Sequence, residues 1–299
     1  MISRYSRHGI IWVDLESPTK EEIEHTVEEF DLGSLIAGEM IQNTIRSKVD
    51  LYDNFLYLVL HFPLINKNSK EDKDQEVDFI VGKKFLITIR YEHIEPIKNF
   101  AKIFESDSLG DRSPDVKDNG GFIFMQLMKE FYKKSLHELE SLTDTIKSIE
   151  HQIFTNQESS IVRRMSFTSR KLLDFKQAIR FHGEILRSYE SASKRLFGEH
   201  YGYYAEIITS EYNKVNSILE SHRDAISELQ RTNDSLLSSK TNEIMRNFTV
   251  MAFIMFTLTL ITGIFGMNLK NENDFYGILV GMGITAFVMF AIFKIKKWL

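Results

Sequence analysis

Cysteine is absent from this chain of 299 residues. Its absence excludes a disulfide scaffold, a thiolate metal site and a cysteine nucleophile, and it suits a reducing compartment. The nine histidines are scattered, without the spacing of a His-Glu-x-x-His motif or a comparable ligand set. A net charge of −5, with 26% charged residues, gives no indication of nucleic-acid binding.

Two further signals are missing. Met1–His8 has no apolar core of signal-peptide length, so any membrane insertion is expected to depend on later segments. Gly33 and Gly38 have the glycine spacing of a P-loop, but Glu39-Met40 stands where Lys-Ser/Thr is needed. We therefore predict no ATPase machinery, no catalytic residue and no cofactor, and an enzyme is the least favoured class of function.

Charge is lacking altogether from two apolar segments near the C-terminus, 248–265 and 276–293. Each has about 18 residues, which at a helical rise of about 1.5 Å per residue approaches the thickness of the bilayer's hydrocarbon. The alternative is a pair of buried helices in a soluble core, but such helices would normally keep a polar face. We predict two membrane-spanning helices joined as a hairpin by the outward loop 266–275.

The basic residues around the hairpin predict its orientation. Lys240 and Arg246 precede the first segment and a cluster of three lysines follows the second, whereas the loop contains only Lys270. By the positive-inside rule both termini are expected to be cytoplasmic. The same rule favours a role for the cluster as a topology signal and lipid-headgroup anchor; its members are Lys294, Lys296 and Lys297.

Before the hairpin, the pattern predicts an α+β cytoplasmic domain followed by long stalk helices. The expected strands and helices are Gly9–Leu15 (strand), a helix from Glu21, Leu35–Ile41 (helix), Lys48–Phe62 and Val77–Arg90 (β-rich), and Ile94–Phe104 (helix), with a loop at Ser106–Gly121. The predicted segments are 1–118 (cytoplasmic α/β domain), 119–247 (long-helix bundle and stalk), 248–265 (first membrane helix), 266–275 (loop), 276–293 (second membrane helix) and 294–299 (basic tail).

The last stalk helix is expected to be exceptionally long. From near Tyr203 to Gly263 the sequence has neither glycine nor proline, which predicts one helix of about 60 residues and about 90 Å. Residues at spacings of three and four define one face of its upper part, here called the candidate pore face. Its members are Asn242, Met245, Phe248 (or Thr249), Ala252, Phe256, Thr259 and Gly263.

Two helices cannot enclose a channel, so in an isolated chain this face is merely one side of a membrane helix. In a ring of subunits it would line a pore with a hydrophobic constriction that gates by dewetting.

The segments Thr241–Thr249 and Thr259–Asn268, with the terminal Lys-Lys-Trp-Leu299, resemble the CorA family of divalent-cation transporters. Further similar segments are Ile11–Leu15, Arg46–Asp50, Asp78–Arg90 and Leu172–Phe175. The tripeptide Gly266-Met267-Asn268 is a specific signal because it stands at the outer end of the first of two C-terminal membrane helices.

The resemblance implies a homopentameric, funnel-shaped channel in the inner membrane. The first membrane helix would line the pore, and the second would form an outer ring. Asn268 amide oxygens would receive a hydrated cation, Gly266 would permit the turn and Met267 would pack the loop. The implied substrate is Mg²⁺, with Co²⁺ and Ni²⁺ as further candidates, and the lysine cluster would form a basic collar at the pore exit.

The resemblance also implies closure by cytoplasmic Mg²⁺ held by carboxylates between subunits. The family's stalk aspartate falls at Ile207, so the ligands cannot be transferred. The regulatory candidates are Glu206, Glu211, Glu220 and Asp224 on the stalk, with Asp78 opposite, and a solvated acidic face is an equal reading of each.

The sequence also departs from the family pattern. Thr257 replaces a proline, which predicts a straighter helix, and Lys270 near the mouth would repel cations. Two alternatives stay open: a ZntB-like zinc transporter coupled to protons, and a non-conducting, membrane-tethered coiled-coil sensor.

Overall fold

A computed structural model of the chain describes residues 1–41, 44, 47–63, 74–105, 119–155, 158–265, 272–296 and 298. The chain divides into two compact units, Met1–Ser227 and Glu228–Leu299. The first contains the sheet and most of the helices, and the second contains the apolar helices.

The strands of the first unit are β1 (Ile2–Arg7), β2 (Ile10–Glu16), β3 (Lys48–Leu51), β4 (Phe55–Phe62), β5 (Gln75–Gly82) and β6 (Phe85–Arg90). They form one sheet in the order β1-β2-β6-β5-β4-β3. The β2–β6 pair is parallel, and the other neighbouring pairs are antiparallel. The predicted strands are confirmed, and β1, which the sequence did not predict, is an additional edge strand.

The helices are α1 (Lys20–Glu29), α2 (Ser34–Met40), α3 (Glu95–Glu105), α4 (Gly120–Phe154), α5 (Glu158–Ile179), α6 (His182–Phe197), α7 (Gly202–Phe265) and α8 (Glu272–Ile295), with a short 3-10 turn at Glu199–Tyr201. A capping box starts α1, since Thr19 and Glu22 each bond the other's backbone N–H.

The two faces of the sheet bury different helices. Side chains of α1 and α2 form a core with one face, around Val13, Tyr57 and Ile87. The other face packs aromatic rings: the ring centroids of Phe79 and Phe124 are 5.2 Å apart. Because both faces are covered, β4 and β5 read as nearly continuous apolar runs rather than as alternating ones.

One expected helix boundary was wrong. The loop expected to extend to Gly121 ends earlier, because Asn119 caps α4 by accepting a hydrogen bond from the Phe122 N–H at 3.0 Å. Gly120 is required there, since a Cβ would lie 2.2 Å from the Phe85 carbonyl oxygen. Further along the chain, a turn near Arg180 separates α5 from α6. Residues 106–118 of the expected loop lie outside the described residues.

The long helix is confirmed, since α7 continues over 64 residues from Gly202 to Phe265. In the first unit α4 runs alongside it in the same direction. Phe122 contacts Tyr204, with ring centroids 5.7 Å apart, and further along Thr143 Oγ1 lies 3.0 Å from His222 Nε2. Two of the helices are long and apolar enough to cross a membrane, namely α7 through its C-terminal part and α8.

Candidate functional site

The candidate pore face is an uncovered side of α7. All seven of its residues are exposed in the chain, including Phe248 at 64% and Phe256 at 72%. Four half-buried residues lie on the opposite side of the helix: Ile254, Thr257, Leu258 and Ile261. Helix α8 contacts α7 through Phe293, whose ring centroid is 6.5 Å from that of Phe253. The seven residues are thus free to face a neighbouring chain, a pore or lipid.

Threonine hydroxyl groups supply hydrogen-bond acceptors on the candidate pore face. The Thr249 hydroxyl donates to the Met245 carbonyl oxygen, and the Thr259 hydroxyl donates to that of Met255, each at 2.8 Å. Because the hydroxyl hydrogen is used within the helix, the oxygen offers only lone pairs outward. Such an oxygen can accept a hydrogen bond from water around a cation.

Thr257 stands where the resemblance to the CorA family implied a proline. Its hydroxyl donates to the Phe253 carbonyl oxygen at 2.9 Å, and α7 continues through this position as one helix. A proline would have removed one backbone hydrogen bond and crowded the preceding turn. The uninterrupted course of α7 at Thr257 is consistent with the prediction of a helix without a proline kink.

The proposed selectivity tripeptide lies outside the described residues, as do Lys270 and Lys297. Gly266, Met267 and Asn268 directly follow the last residue of α7, Phe265. Their assignment rests on the sequence.

The basic end of α8 is exposed where it is described. Lys294 and Lys296 are both solvent-facing. Beyond them, the Trp298 N–H donates to the Phe293 carbonyl oxygen at 2.9 Å, and the two rings stack with centroids 5.9 Å apart. Lysines with an adjacent tryptophan are typical of a helix end at the membrane interface.

Two of the regulatory candidates already form ion pairs with lysine or arginine side chains. Glu220 Oε1 lies 2.7 Å from Lys176 Nζ, and Glu220 Oε2 lies 2.7 Å from Arg223 Nη1. The hydrogen bond from Lys176 is the main reason that the Glu220 pKa is lowered. Glu211 Oε1 is likewise 2.8 Å from Lys214 Nζ. The Glu220 carboxylate links α7 to α5, and the Glu211 carboxylate forms an ion pair within α7.

Asp78 is fully buried inside the first unit. The Tyr57 hydroxyl donates to its Oδ2 at 2.7 Å. Burial, more than any charge, raises the Asp78 pKa to about 8. Its position beneath the sheet's helices argues against Asp78 as a ligand shared with a neighbouring chain.

The remaining candidates, Glu206 and Asp224, are exposed on α7. Glu206 faces a groove of about 720 Å³ between α6 and α7, opposite Glu190. The sequence did not indicate this groove, because the pairing of two helices distant in sequence creates it. Within the described part of the chain, three or more Asp, Glu or His side chains nowhere come together as a metal-binding group.

Comparison with known proteins identifies the family. The family model for CorA-like Mg²⁺ transporter proteins matches residues 7–297. The chain belongs to this family.

Curated relatives match this chain over most of the length of both proteins. The cobalt/magnesium transport protein CorA of Thermotoga maritima is 24% identical over 299 residues, which cover 96% of this chain and 83% of that protein. The magnesium transport protein CorA of Wolinella succinogenes is 24% identical over 315 residues, covering 99% and 93% of the two chains. These CorA relatives are named as transporters rather than enzymes, and with its two apolar helices the chain is a membrane protein.

Solved structures share the CorA-like fold. The CorA magnesium transporter of Methanocaldococcus jannaschii superposes with a TM-score of 0.82 at 17% identity, covering 99% of this chain and 93% of that one. The ZntB cytoplasmic domain of Vibrio parahaemolyticus reaches 0.62 at 14% identity, covering 78% of this chain and 90% of that domain. The predicted fold class, an α+β domain with long helices and two C-terminal apolar helices, is confirmed.

Proposed function

We propose that this protein is a homopentameric channel for Mg²⁺, with Co²⁺ and Ni²⁺ as further substrates, in the inner membrane. The observation that supports it best is the uncovered candidate pore face of α7, which leads in sequence straight into Gly266-Met267-Asn268. A ring of such faces would enclose a path, whereas two helices alone cannot. The six segments predicted from the sequence remain our proposed domain organisation. In this proposal both termini are cytoplasmic, and lipid surrounds the apolar helices.

The candidate pore face would contact the ion through its water shell rather than by direct coordination. Mg²⁺ loses its water shell reluctantly and usually keeps several waters when bound. Asn268 amide oxygens would accept hydrogen bonds from those waters at the entrance, and the oxygen of Thr259 would do so further in. The apolar rings of Phe248 and Phe256 would form the constriction that closes the path when water leaves it.

The membrane potential is a sufficient driving force. A divalent cation entering an inside-negative cell gains about 4.6 kcal/mol per 100 mV, twice the value for one charge. Uptake driven by this potential needs no ATP hydrolysis. This agrees with the sequence, in which the P-loop-like glycines are not followed by the P-loop lysine.

We also propose that cytoplasmic Mg²⁺ closes the channel as a regulatory ligand. Exposed carboxylate oxygens suit this ion, and Glu206 and Asp224 are the exposed candidates on α7. A single chain supplies too few of them together for a complete site, at least among the described residues. The proposal therefore places each site between two subunits.

Ion uptake into proteoliposomes of the purified full chain tests the transport function. At a fixed inside-negative potential we expect Mg²⁺ uptake that follows the potential and ignores an imposed proton gradient. Asn268→Ala should lower the rate by about tenfold or more, which corresponds to a barrier higher by about 1.4 kcal/mol. Asn271→Ala, in the same polar segment but outside the tripeptide, is the matched control and should transport normally.

Other outcomes would point elsewhere. Zn²⁺ uptake accelerated by a proton gradient would favour the ZntB-like alternative, whose cytoplasmic domain shares the fold. Absence of flux for both ions, or normal transport by Asn268→Ala, would favour a tethered sensor that conducts nothing.

A further inference from the structure

Two acidic side chains, here called the carboxyl pair, are buried next to each other on strand β5. Glu76 and Asp78 are two residues apart, so they point from the same face of the sheet. Ile80, on the same face, belongs to the core that α1 and α2 cover. The Glu76 side chain is 8% exposed and Asp78 is fully buried. Two adjacent carboxyl groups this far from water cannot both carry a charge without a large cost.

The hydrogen bonds of the carboxyl pair are incomplete unless the two groups share a proton. Asp78 Oδ2 accepts from the Tyr57 hydroxyl at 2.7 Å, whereas the buried Asp78 Oδ1 has no donor among the described residues. The Glu76 carboxyl group lies within hydrogen-bonding reach of Asp78. Two ionised carboxylates offer each other only acceptors. A single proton between them turns this contact into a hydrogen bond.

Glu76 is the better placed of the two to carry the negative charge. The Thr44 N–H donates to both of its oxygens, at 2.9 Å and 2.8 Å, and His61 Nε2 lies 3.7 Å from Glu76 Oε2. Such donors stabilise the ionised form of a carboxyl group. Burial, with the charge of Glu76 as a further cause, raises the pKa of Asp78 to about 8. The shared proton therefore belongs to Asp78, which donates it to Glu76.

The other titratable groups around the carboxyl pair have partners of their own. Lys48 on β3 forms ion pairs with Glu39 of α2 and, at 3.1 Å, with Asp50. Tyr91, which follows β6, donates its hydroxyl hydrogen to the Met40 carbonyl oxygen at 2.8 Å. The described groups whose charge or hydrogen bond acts on the pair or on its tyrosine neighbours are Glu39, Lys48, Tyr57, His61 and Tyr91.

We propose that the carboxyl pair shares one proton at neutral pH and acts as a proton-linked latch on the connection between α2 and β3. Thr44 lies in this connection, and the charged Glu76 carboxylate holds its N–H. Loss of the shared proton leaves two negative charges side by side in a buried site, where they repel until water reaches them. The latch therefore opens more readily as the pH rises.

Hydrogen exchange at the Thr44 amide of the full chain in detergent measures the latch. The opened latch binds one proton fewer than the closed one, since a hydrated carboxyl group ionises at about pH 4. Opening thus becomes about tenfold more frequent per pH unit, up to about pH 8. Corrected for the intrinsic exchange rate, protection of Thr44 should fall about 100-fold between pH 6 and 8 and then level off. The Ser17 amide, bonded to the Arg90 carbonyl oxygen at 2.7 Å, is the control and should keep its protection.

Two amide substitutions test the shared proton itself. In Asp78→Asn the amide donates to Glu76 and still accepts from Tyr57, but it cannot titrate, so protection of Thr44 should no longer depend on pH. In Glu76→Gln the new amide donates to Asp78, which then ionises more easily, so the fall in protection should end at a lower pH. Infrared spectra of the unaltered chain at pH 7 should contain the carbonyl band of a protonated carboxylic acid that disappears at alkaline pH and is missing from Asp78→Asn.

Several results would overturn the latch. Protection of Thr44 that is independent of pH, or that falls equally in Asp78→Asn, would show that the shared proton does not hold the connection. A parallel fall at Ser17 would mean that the whole unit loosens. If Asp78→Asn does not fold, the infrared band of the unaltered chain and the Glu76→Gln profile decide the question, and absence of the band at pH 7 would show that both carboxyl groups are ionised.

Discussion

Buried polar side chains hold the first unit together at two points. Across the parallel β2–β6 pair, Arg90 Nη2 donates to Asp14 Oδ2 at 3.0 Å and to Glu16 Oε2 at 2.9 Å, while the Thr88 hydroxyl donates to Asp14 Oδ1. At the other point, His182 Nε2 donates to the His61 carbonyl oxygen at 2.9 Å, and His182 Nδ1 accepts from the Tyr132 hydroxyl at 2.9 Å. These bonds fix which tautomer of His182 is present.

The His182 network predicts a pH dependence of stability. Burial lowers the His182 pKa to about 3, so the side chain stays neutral in the folded state but gains a proton in the unfolded state below about pH 6.5. The unfolded state therefore binds more protons, and stability falls as pH drops from about 6.5 towards 3. Between pH 7.5 and 5 this amounts to about 2 kcal/mol.

Chemical unfolding of the detergent-solubilised chain, followed by the fluorescence of buried Trp12, measures the effect. His182→Gln cannot titrate, so its stability should fall by about 2 kcal/mol less than that of the unaltered chain over this pH range. Asp78 titrates with the opposite sign, since its raised pKa makes stability fall as pH rises, but it is common to both proteins. Parallel pH profiles would contradict the assignment.

At the scale of the element, α7 combines a stalk and a membrane span in one helix without an internal break. Its uncovered side is apolar at Phe248 and Phe256 and offers hydroxyl oxygens at Thr249 and Thr259. In a closed ring the bulky rings would meet, and the cost of wetting that constriction would set the barrier to ions.

Phe248→Ala should therefore make the channel leak. If removing the rings lowers the barrier by about 1.4 kcal/mol, Mg²⁺ flux with magnesium present on the cytoplasmic side rises about tenfold. The flux is read from a Mg²⁺-sensitive dye in proteoliposomes. Met251→Ala, which removes an exposed side chain of α7 outside the candidate pore face, serves as the control. Unchanged or reduced flux for Phe248→Ala would remove Phe248 from the gate.

At the scale of the whole molecule, the proposed regulation by Mg²⁺ requires contacts that the described residues of one chain do not complete. The proposed Mg²⁺ sites lie between subunits, so the ion should hold the assembled protein in a tighter state. We expect millimolar Mg²⁺ to slow limited proteolysis of the full-length protein and Glu206→Gln to weaken that protection. Glu220→Gln, whose carboxylate is occupied by Lys176 and Arg223, should retain it. The same rate of cleavage with and without Mg²⁺ would count heavily against the regulatory proposal.

Much of the fold could be predicted from the sequence because its signals are local. The uncharged segments, the long stretch without glycine or proline and the apolar run of β4 each carry their own periodicity. Edge strand β1 escaped prediction because its residues are largely exposed and polar. The pairing of Glu220 with Lys176 and the burial of Asp78 were equally out of reach, since both depend on tertiary contacts between distant segments. The role of the tripeptide at 266–268 stays a prediction, which rests on its position after an apolar helix.

The sheet ends in two short outer strands, β1 and β3, each of which pairs on one side only within the described residues, so that its outer edge could pair with another chain. Assembly into a ring would hold several such sheets at high local concentration, which favours fibrous aggregation through strand addition. Arg4 and Arg7 on β1 and Lys48 on β3 place charge along these edges. Any other chain that adds a strand there would have to bring those charges out of water, so in the proposed ring the charged borders of the sheet would oppose aggregation.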